Sequence, residues 1–177
     1  AATYRYRNAS NDLLGYVLRI DEPNGGKSFI PLAYGYDENG RTSWLARALP
    51  APRPLYGLDR LAQRPNAPVL IVEGEKTANA ATRLFPNYVA VTSSGGAKSA
   101  ARTDWKPLAG RKVVIWPDND AVGKAYAREA AKLALAAGAR SASIVRLPEV
   151  LPDGWDVADE RPAALPLERL AELVATA

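Results

Sequence analysis

From Val69 onward, short all-apolar runs alternate with helix-patterned stretches, and few architectures accept that rhythm. Val69-Leu-Ile-Val72 is an uninterrupted apolar run of the kind buried on both faces of a parallel sheet. Glu75 to Phe85 then carries Ala78, Ala81 and Leu84 at helical spacing. Tyr88 to Thr92 and Val113 to Trp116 read as the next two strands, and Ala121 to Ala137 as a long Ala-rich helix stopped by Gly138. Ser141 to Leu147 completes four strands, and Leu165 to Val174 reads as a closing helix. The pattern predicts an α/β fold with a four-stranded, mainly parallel sheet flanked by helices and joined by right-handed crossovers.

Ahead of this the rhythm is different. Thr3 to Arg7 alternates, Asn8 to Asp12 is a turn cluster, and Leu13 to Ile20 resumes an extended pattern. Ser28 to Tyr34 and Arg41 to Leu49 continue a meander of short antiparallel strands, with turns at Asn24-Gly25 and Asp37 to Gly40. Pro50-Ala-Pro-Arg-Pro54 ends it, because proline donates nothing to a ladder. Leu58 to Gln63 reads as a short helix before Pro65. The expected division is a small β-rich subdomain over residues 1–67 and an α/β domain over residues 68–177.

Composition removes much of the chemistry open to such a fold. Among 177 residues there is no His, no Cys and no Met. A zinc ribbon, a Cys-His or Ser-His nucleophile pair and an imidazole base are therefore excluded. A metal held by this chain must sit on oxygen, which points to Mg²⁺ or Mn²⁺ on Asp and Glu. The net charge of +4 is mild, and implies no partner bound through bulk charge alone. No stretch of about 18 apolar residues suggests a membrane helix, and no signal-peptide pattern is seen. The first residue is Ala, so the chain reads as a piece of a longer protein.

Three acidic clusters stand where open α/β sheets place ligands, just beyond the carboxyl ends of strands. Glu73 follows the first run directly, and Gly74 allows a tight turn into the helix. Asp118 and Asp120 follow the third run, with Gly123 shortly after. Asp156 and Asp159 follow the fourth strand. Single carboxylates at such places also serve as helix N-caps, and Asp-x-Asp is frequent in turns. Three clusters at three strand ends argue instead for converging carboxylates, which repel one another unless a cation lies among them. Ser93 to Ser99 is a glycine-containing loop whose N–H groups, with Lys98, suit a phosphate; it also suits an ordinary strand-to-helix connection. Lys76, Arg102, Lys124 and Arg128 are expected near the same edge. Gly26-Lys-Ser28 fails as a Walker motif, since Asp21 stands at the earlier glycine position. Tyr4, Tyr6, Tyr34, Tyr36 and Trp44, interleaved with arginines, are candidates for base stacking, though solvated strand faces carry the same residues.

Val69-Leu-Ile-Val-Glu-Gly74, followed about 45 residues later by Asp118-Asn-Asp120 with Gly123, resembles the Toprim domain. That module is shared by bacterial-type DNA primases, type IA and type II topoisomerases and some nucleases. Leu55-Tyr-Gly-Leu58 resembles the element that precedes the Toprim glutamate in bacterial primases, and Gly154 to Asp159 is similar to their late acidic element. The tract from Val72 through Gly96 to Asp120 looks closest to primase-like proteins of phages and plasmids. Residues 55–160 carry the resemblance, with residues 1–50 corresponding to the smaller subdomain of a primase core.

The resemblance implies a catalytic core of DnaG type that joins ribonucleoside triphosphates on a single-stranded DNA template. It implies Glu73, Asp118 and Asp120 as catalytic residues and ligands of Mg²⁺ or Mn²⁺, with Asp156 and Asp159 as an auxiliary metal site. Lys76, Lys98, Arg102 and Lys124 would engage nucleotide or nucleic acid. A replicative helicase, fused or separate, is the implied partner, in the cytoplasm of a bacterial cell or phage-infected host. Two departures stand out: no residues for the usual zinc-binding domain, and Ala158 where bacterial primases carry a second acidic ligand. A Toprim nuclease, or a non-catalytic module binding single-stranded DNA or a helicase, remains the alternative.

Overall fold

The computed structural model describes residues 1–163 and 165–177, with the backbone alone for Ala97 and Lys98. The N-terminal part is a four-stranded antiparallel meander in the order β1-β2-β3-β4. Its strands are β1 (Ala2–Arg7), β2 (Leu13–Asp21), β3 (Lys27–Tyr36) and β4 (Thr42–Leu45). The last strand is shorter than the pattern from Arg41 to Leu49 suggests. Residues 46–49 leave the ladder before the proline run begins.

The remainder runs α1 (Leu58–Gln63), β5 (Val69–Ile71), α2 (Glu75–Leu84), β6 (Val89–Val91), β7 (Lys112–Ile115), α3 (Ala121–Ala136), β8 (Ser141–Ile144) and α4 (Leu167–Ala175). Two 3₁₀ turns, Ala97–Arg102 and Lys106–Leu108, fill the link between β6 and β7, where no element was expected. All four strands pair in parallel, in the order β6-β5-β7-β8. This is the architecture expected from the alternating apolar runs.

Because β5 and β7 are buried on both sides, alternate residues feed two cores. Leu70, Val72, Ala90, Val114 and Trp116 face α2, α4 and the N-terminal sheet. Val69, Ile71, Val91, Val113 and Ile115 face α1 and the small residues Ala127, Ala130 and Ala134 of α3. Those alanines let α3 lie close to the sheet, as its composition suggests.

The antiparallel sheet presents Tyr4, Tyr6 and Val17 to the first of these cores. Both tyrosines contact the Tyr56 ring, at centroid distances of 6.0 and 5.3 Å. Leu55 and Leu61 are fully or almost fully buried in the second core, so the segment after the prolines packs on the parallel sheet. Backbone bonds from Tyr56 to Thr92 and from Arg53 to Arg102 fix it there.

Candidate metal and nucleotide cleft

The sheet order makes β5 and β7 neighbours, although 40 residues of chain separate them. From β5 the chain crosses to β6 on one side, then returns to β7 on the other. A crevice opens where the direction reverses, at the carboxyl ends of β5 and β7. Ile71 stands opposite Ile115 in register, so Glu73 and Asp118, two and three residues further on, emerge side by side.

A cleft of about 340 Å³ lies between this edge and the inner face of the antiparallel sheet. Glu73, Asp118 and Asp156 line one wall, while Arg19, Lys27 and Phe29 of β2 and β3 line the other. Gly74, Gly95 and Gly96 complete the rim. A larger groove of about 430 Å³ lies elsewhere, among Pro50, Pro52, Pro54 and Leu58, and Asp104 is the one carboxylate among the described residues that line it.

Asp118 is the centre of the site's electrostatics. Its Oδ1 is buried without a hydrogen-bond partner among the described residues. Burial pushes its carboxyl up to about 8, and the charges of Glu73, Asp156, Asp120 and Asp159 add to the rise. All five expected carboxylates are therefore near enough to interact. Gly123 makes the arrangement possible: a Cβ there would lie 2.5 Å from the Asp118 carbonyl oxygen and 2.8 Å from its Cβ. Gly74 serves the neighbouring β5 end of the same edge, with φ of 84° turning the chain sharply from Glu73 into α2.

The other carboxylates have additional tasks. Asp120 caps α3, its Oδ1 accepting the Gly123 N–H at 2.6 Å. Asp159 lies 3.1 Å and Asp156 3.9 Å from the Lys76 ammonium. Asp156 also accepts the Ala158 N–H, and Asp159 accepts the Asp156 N–H at 3.0 Å. Burial pushes the Asp159 carboxyl up, but this backbone bond and Lys76 outweigh it and hold it below its ordinary value. Among the described residues, no three Asp or Glu side chains form a preassembled metal cage. Electrostatic coupling reaches further than a coordination shell, so the two observations are compatible.

The donor set still fits a hard divalent cation. Mg²⁺ takes one or two carboxylates directly and keeps several waters. Glu73 and Asp118 line the cleft, and the buried, unbonded Oδ1 of Asp118 is an acceptor whose desolvation such an ion would offset.

The predicted cations are distributed differently. Lys76 lines the cleft and holds Asp156 and Asp159. Arg102 and Lys124 are exposed and do not line the cleft, and the Lys98 side chain lies outside the described residues. Tyr6 is fully buried, and Tyr4, although it borders the cleft, is only 5% exposed and offers little ring face for stacking. Tyr34 and Trp44 pack against each other at 5.4 Å on the sheet face opposite Phe29, away from the carboxylates.

Besides Lys27 of the cationic wall, three residues escaped the sequence reading. Asn119 donates to the Leu151 and Pro152 carbonyls, both at 2.9 Å, and its backbone pairs with Trp155 and Gly154. It thereby ties the late acidic loop to the Asp118 turn. Glu75 is buried and accepts the Tyr6 hydroxyl at 2.6 Å. Phe29 is half exposed inside the cleft. Asn in a turn and Phe in a strand gave no signal by type. Only the acidic pair Glu73-Gly-Glu75 hinted at a second role.

A family model described as a domain of unknown function (DUF6371) matches residues 33–119, just under half of the chain. No curated protein matches the sequence. Solved structures do match. A primase of Aquifex aeolicus, comprising zinc-binding and RNA polymerase domains, superposes with a TM-score of 0.67 at 20% identity. The match covers 98% of this chain and 39% of that one, so the present chain spans about two fifths of its length. The RNA polymerase domain of the Mycobacterium tuberculosis primase DnaG gives a TM-score of 0.58 at 21% identity, covering 98% and 54%. A bacteriophage T7 assembly, in which primase domains are bound to an RNA/DNA hybrid and dTTP, gives 0.59 at 15% identity, covering 98% and 76%. The fold is thus Toprim-like and resembles a primase catalytic core.

Proposed function

We propose that this chain is the catalytic core of a DNA primase serving phage or plasmid replication, joining ribonucleoside triphosphates on single-stranded DNA by metal-dependent nucleotidyl transfer. The observation that carries the reading is Asp118. Its buried, unbonded oxygen sits at the reversal point of the sheet, coupled to four other carboxylates and facing a cationic wall.

Glu73 and Asp118 would hold Mg²⁺ or Mn²⁺, with Asp120 contributing the carboxylate oxygen that its cap leaves over. Asp156 and Asp159 form an auxiliary site that Lys76 neutralises. When bound, the metal supplies charge for the triphosphate and acidifies the attacking 3′-hydroxyl. Arg19 and Lys27 engage phosphate oxygens from the opposite wall. Lys98, Arg102 and Lys124 meet nucleic acid further out. The antiparallel sheet and the parallel edge together wall the gap on two sides, so a triphosphate seated there meets cations from one wall and carboxylates from the other. Reading of template sequence and coupling to a replicative helicase, fused or separate, belong to other parts of the replication machinery.

The test is template-directed dinucleotide synthesis in Mg²⁺ or Mn²⁺, with an Asp118→Ala, Asp120→Ala double variant beside the wild type. Synthesis lost in the variant supports the reading. Unchanged synthesis, or metal-dependent nicking of DNA without incorporation, contradicts it.

A further inference from the structure

The inner face of the antiparallel sheet changes character along its length. Ala33 and Val17 are 4% and 7% exposed where the face rests on the parallel domain, but Phe29 is 52% exposed. Strand alternation puts Phe29, Pro31 and Ala33 on the same face, and Phe29 stands directly opposite Arg19 in the ladder. The sheet therefore extends past its support, and the projecting end carries a bare phenyl ring into the cleft. Across the gap are Glu73 and Asp118, and Gly95 and Gly96 form the rim. Lys27, two residues before Phe29, lies on the same strand face and lines the same wall. Arg19 is oriented by Asp21 at 2.9 Å.

Each part of this wall suits a different part of one ligand. Arg19 and Lys27 offer N–H donors to phosphate oxygens, as does the glycine rim. Phe29 offers an apolar π-face and no hydrogen bond, so it distinguishes ligands by stacking alone. Other exposed aromatic rings, Tyr34, Tyr36 and Trp44, do not line the cleft.

We propose that Phe29 is the stacking platform for the base of a nucleoside triphosphate whose phosphates lie between Arg19, Lys27 and the carboxylate edge. The inference rests on the nucleotidyl-transfer reading and adds to it a residue that sets base affinity. Stacking area then ranks purine nucleotides above pyrimidine nucleotides.

Titration calorimetry of the full chain with ATP, CTP and inorganic tripolyphosphate, in Ca²⁺ to prevent turnover, tests this. Phe29→Ala should weaken ATP on the order of tenfold, the scale of one base–aromatic stack, and CTP by less, while tripolyphosphate binding stays unchanged. Phe29→Trp should restore ATP affinity, and Phe29→Leu, apolar without a π-face, should not. Circular dichroism establishes that each variant is folded. An ATP affinity untouched by Phe29→Ala overturns the proposal, as does an equal loss for tripolyphosphate or full rescue by leucine. The two readings fail separately: a wild type that makes dinucleotides with an indifferent Phe29→Ala defeats only the platform. Selective loss of ATP in a chain that makes none defeats only the primase assignment. A wild type that binds no triphosphate defeats both.

Discussion

The Tyr6 hydroxyl donates a 2.6 Å hydrogen bond to Oε1 of Glu75, a residue 69 positions away in the other half of the molecule. Tyr6 belongs to β1, and Glu75 opens α2 immediately after the Glu73 turn. Burial raises the carboxyl of Glu75, and the Tyr6 bond partly offsets that rise. The bond thus pins the antiparallel sheet to the helix that positions Glu73. Tyr6→Phe would keep the packing and take one donor from a buried carboxylate. The expected loss is about 1–3 kcal/mol, measured by urea denaturation. A loss below about 0.3 kcal/mol would mean that the bond does not hold the two parts together.

Asp118 links stability to pH and to cations. Its carboxyl is raised from 3.8 to about 8, so the folded metal-free chain favours the protonated form while the unfolded chain favours the charged one. Its contribution to stability is complete below about pH 4 and is lost as pH rises towards about 8. Thermal melts without divalent ions should therefore show stability falling across this window, less steeply in Asp118→Asn. Mg²⁺ should raise Tm more at pH 8 than at pH 5, because it favours the ionised carboxylate. A variant with the same pH slope as the wild type would argue against this role.

Lys76 takes a place that a cation could share. Its pairs with Asp156 and Asp159 are partly exposed, so Lys76→Ala should cost less than about 1 kcal/mol. Removing the resident ammonium takes the nearest positive charge from two carboxylates, and Mn²⁺ affinity, read by paramagnetic relaxation of water protons, should increase. Weaker Mn²⁺ binding would contradict the auxiliary site.

At Gly123 a methyl group would meet the main chain of Asp118, which cannot swing aside as a flexible side chain does. Gly123→Ala should destabilise the fold by about 1–3 kcal/mol and displace the Asp118 turn. Loss of Mn²⁺ affinity beyond that of the exposed control Val122→Ala would show the displacement.

Much of this was legible because apolar runs and carboxylates carry local signals. Val69 to Val72 is the kind of run that parallel sheets bury on both faces, and Gly138 ended α3 as its type suggests, with φ of 92°. The strand order was not legible, since nothing local in Val69 or Val113 says that these strands adjoin. The burial of Tyr4 and Tyr6 was hidden for a related reason: alternation identifies two faces without saying which one is covered. Asp120 shows that the two readings of a strand-end carboxylate need not exclude each other. It caps α3 with one oxygen while its charge still acts on Asp118. Phe29 escaped notice because its exposure depends on where the sheet outruns its support, a tertiary fact.

Crystals soaked in Mn²⁺ and measured for anomalous scattering test the central claim most directly. An anomalous peak in the cleft within coordination distance of Glu73 and Asp118, absent from Asp118→Ala crystals, is the predicted result. A cleft without manganese, at concentrations that support any metal-dependent activity of the chain, would contradict it.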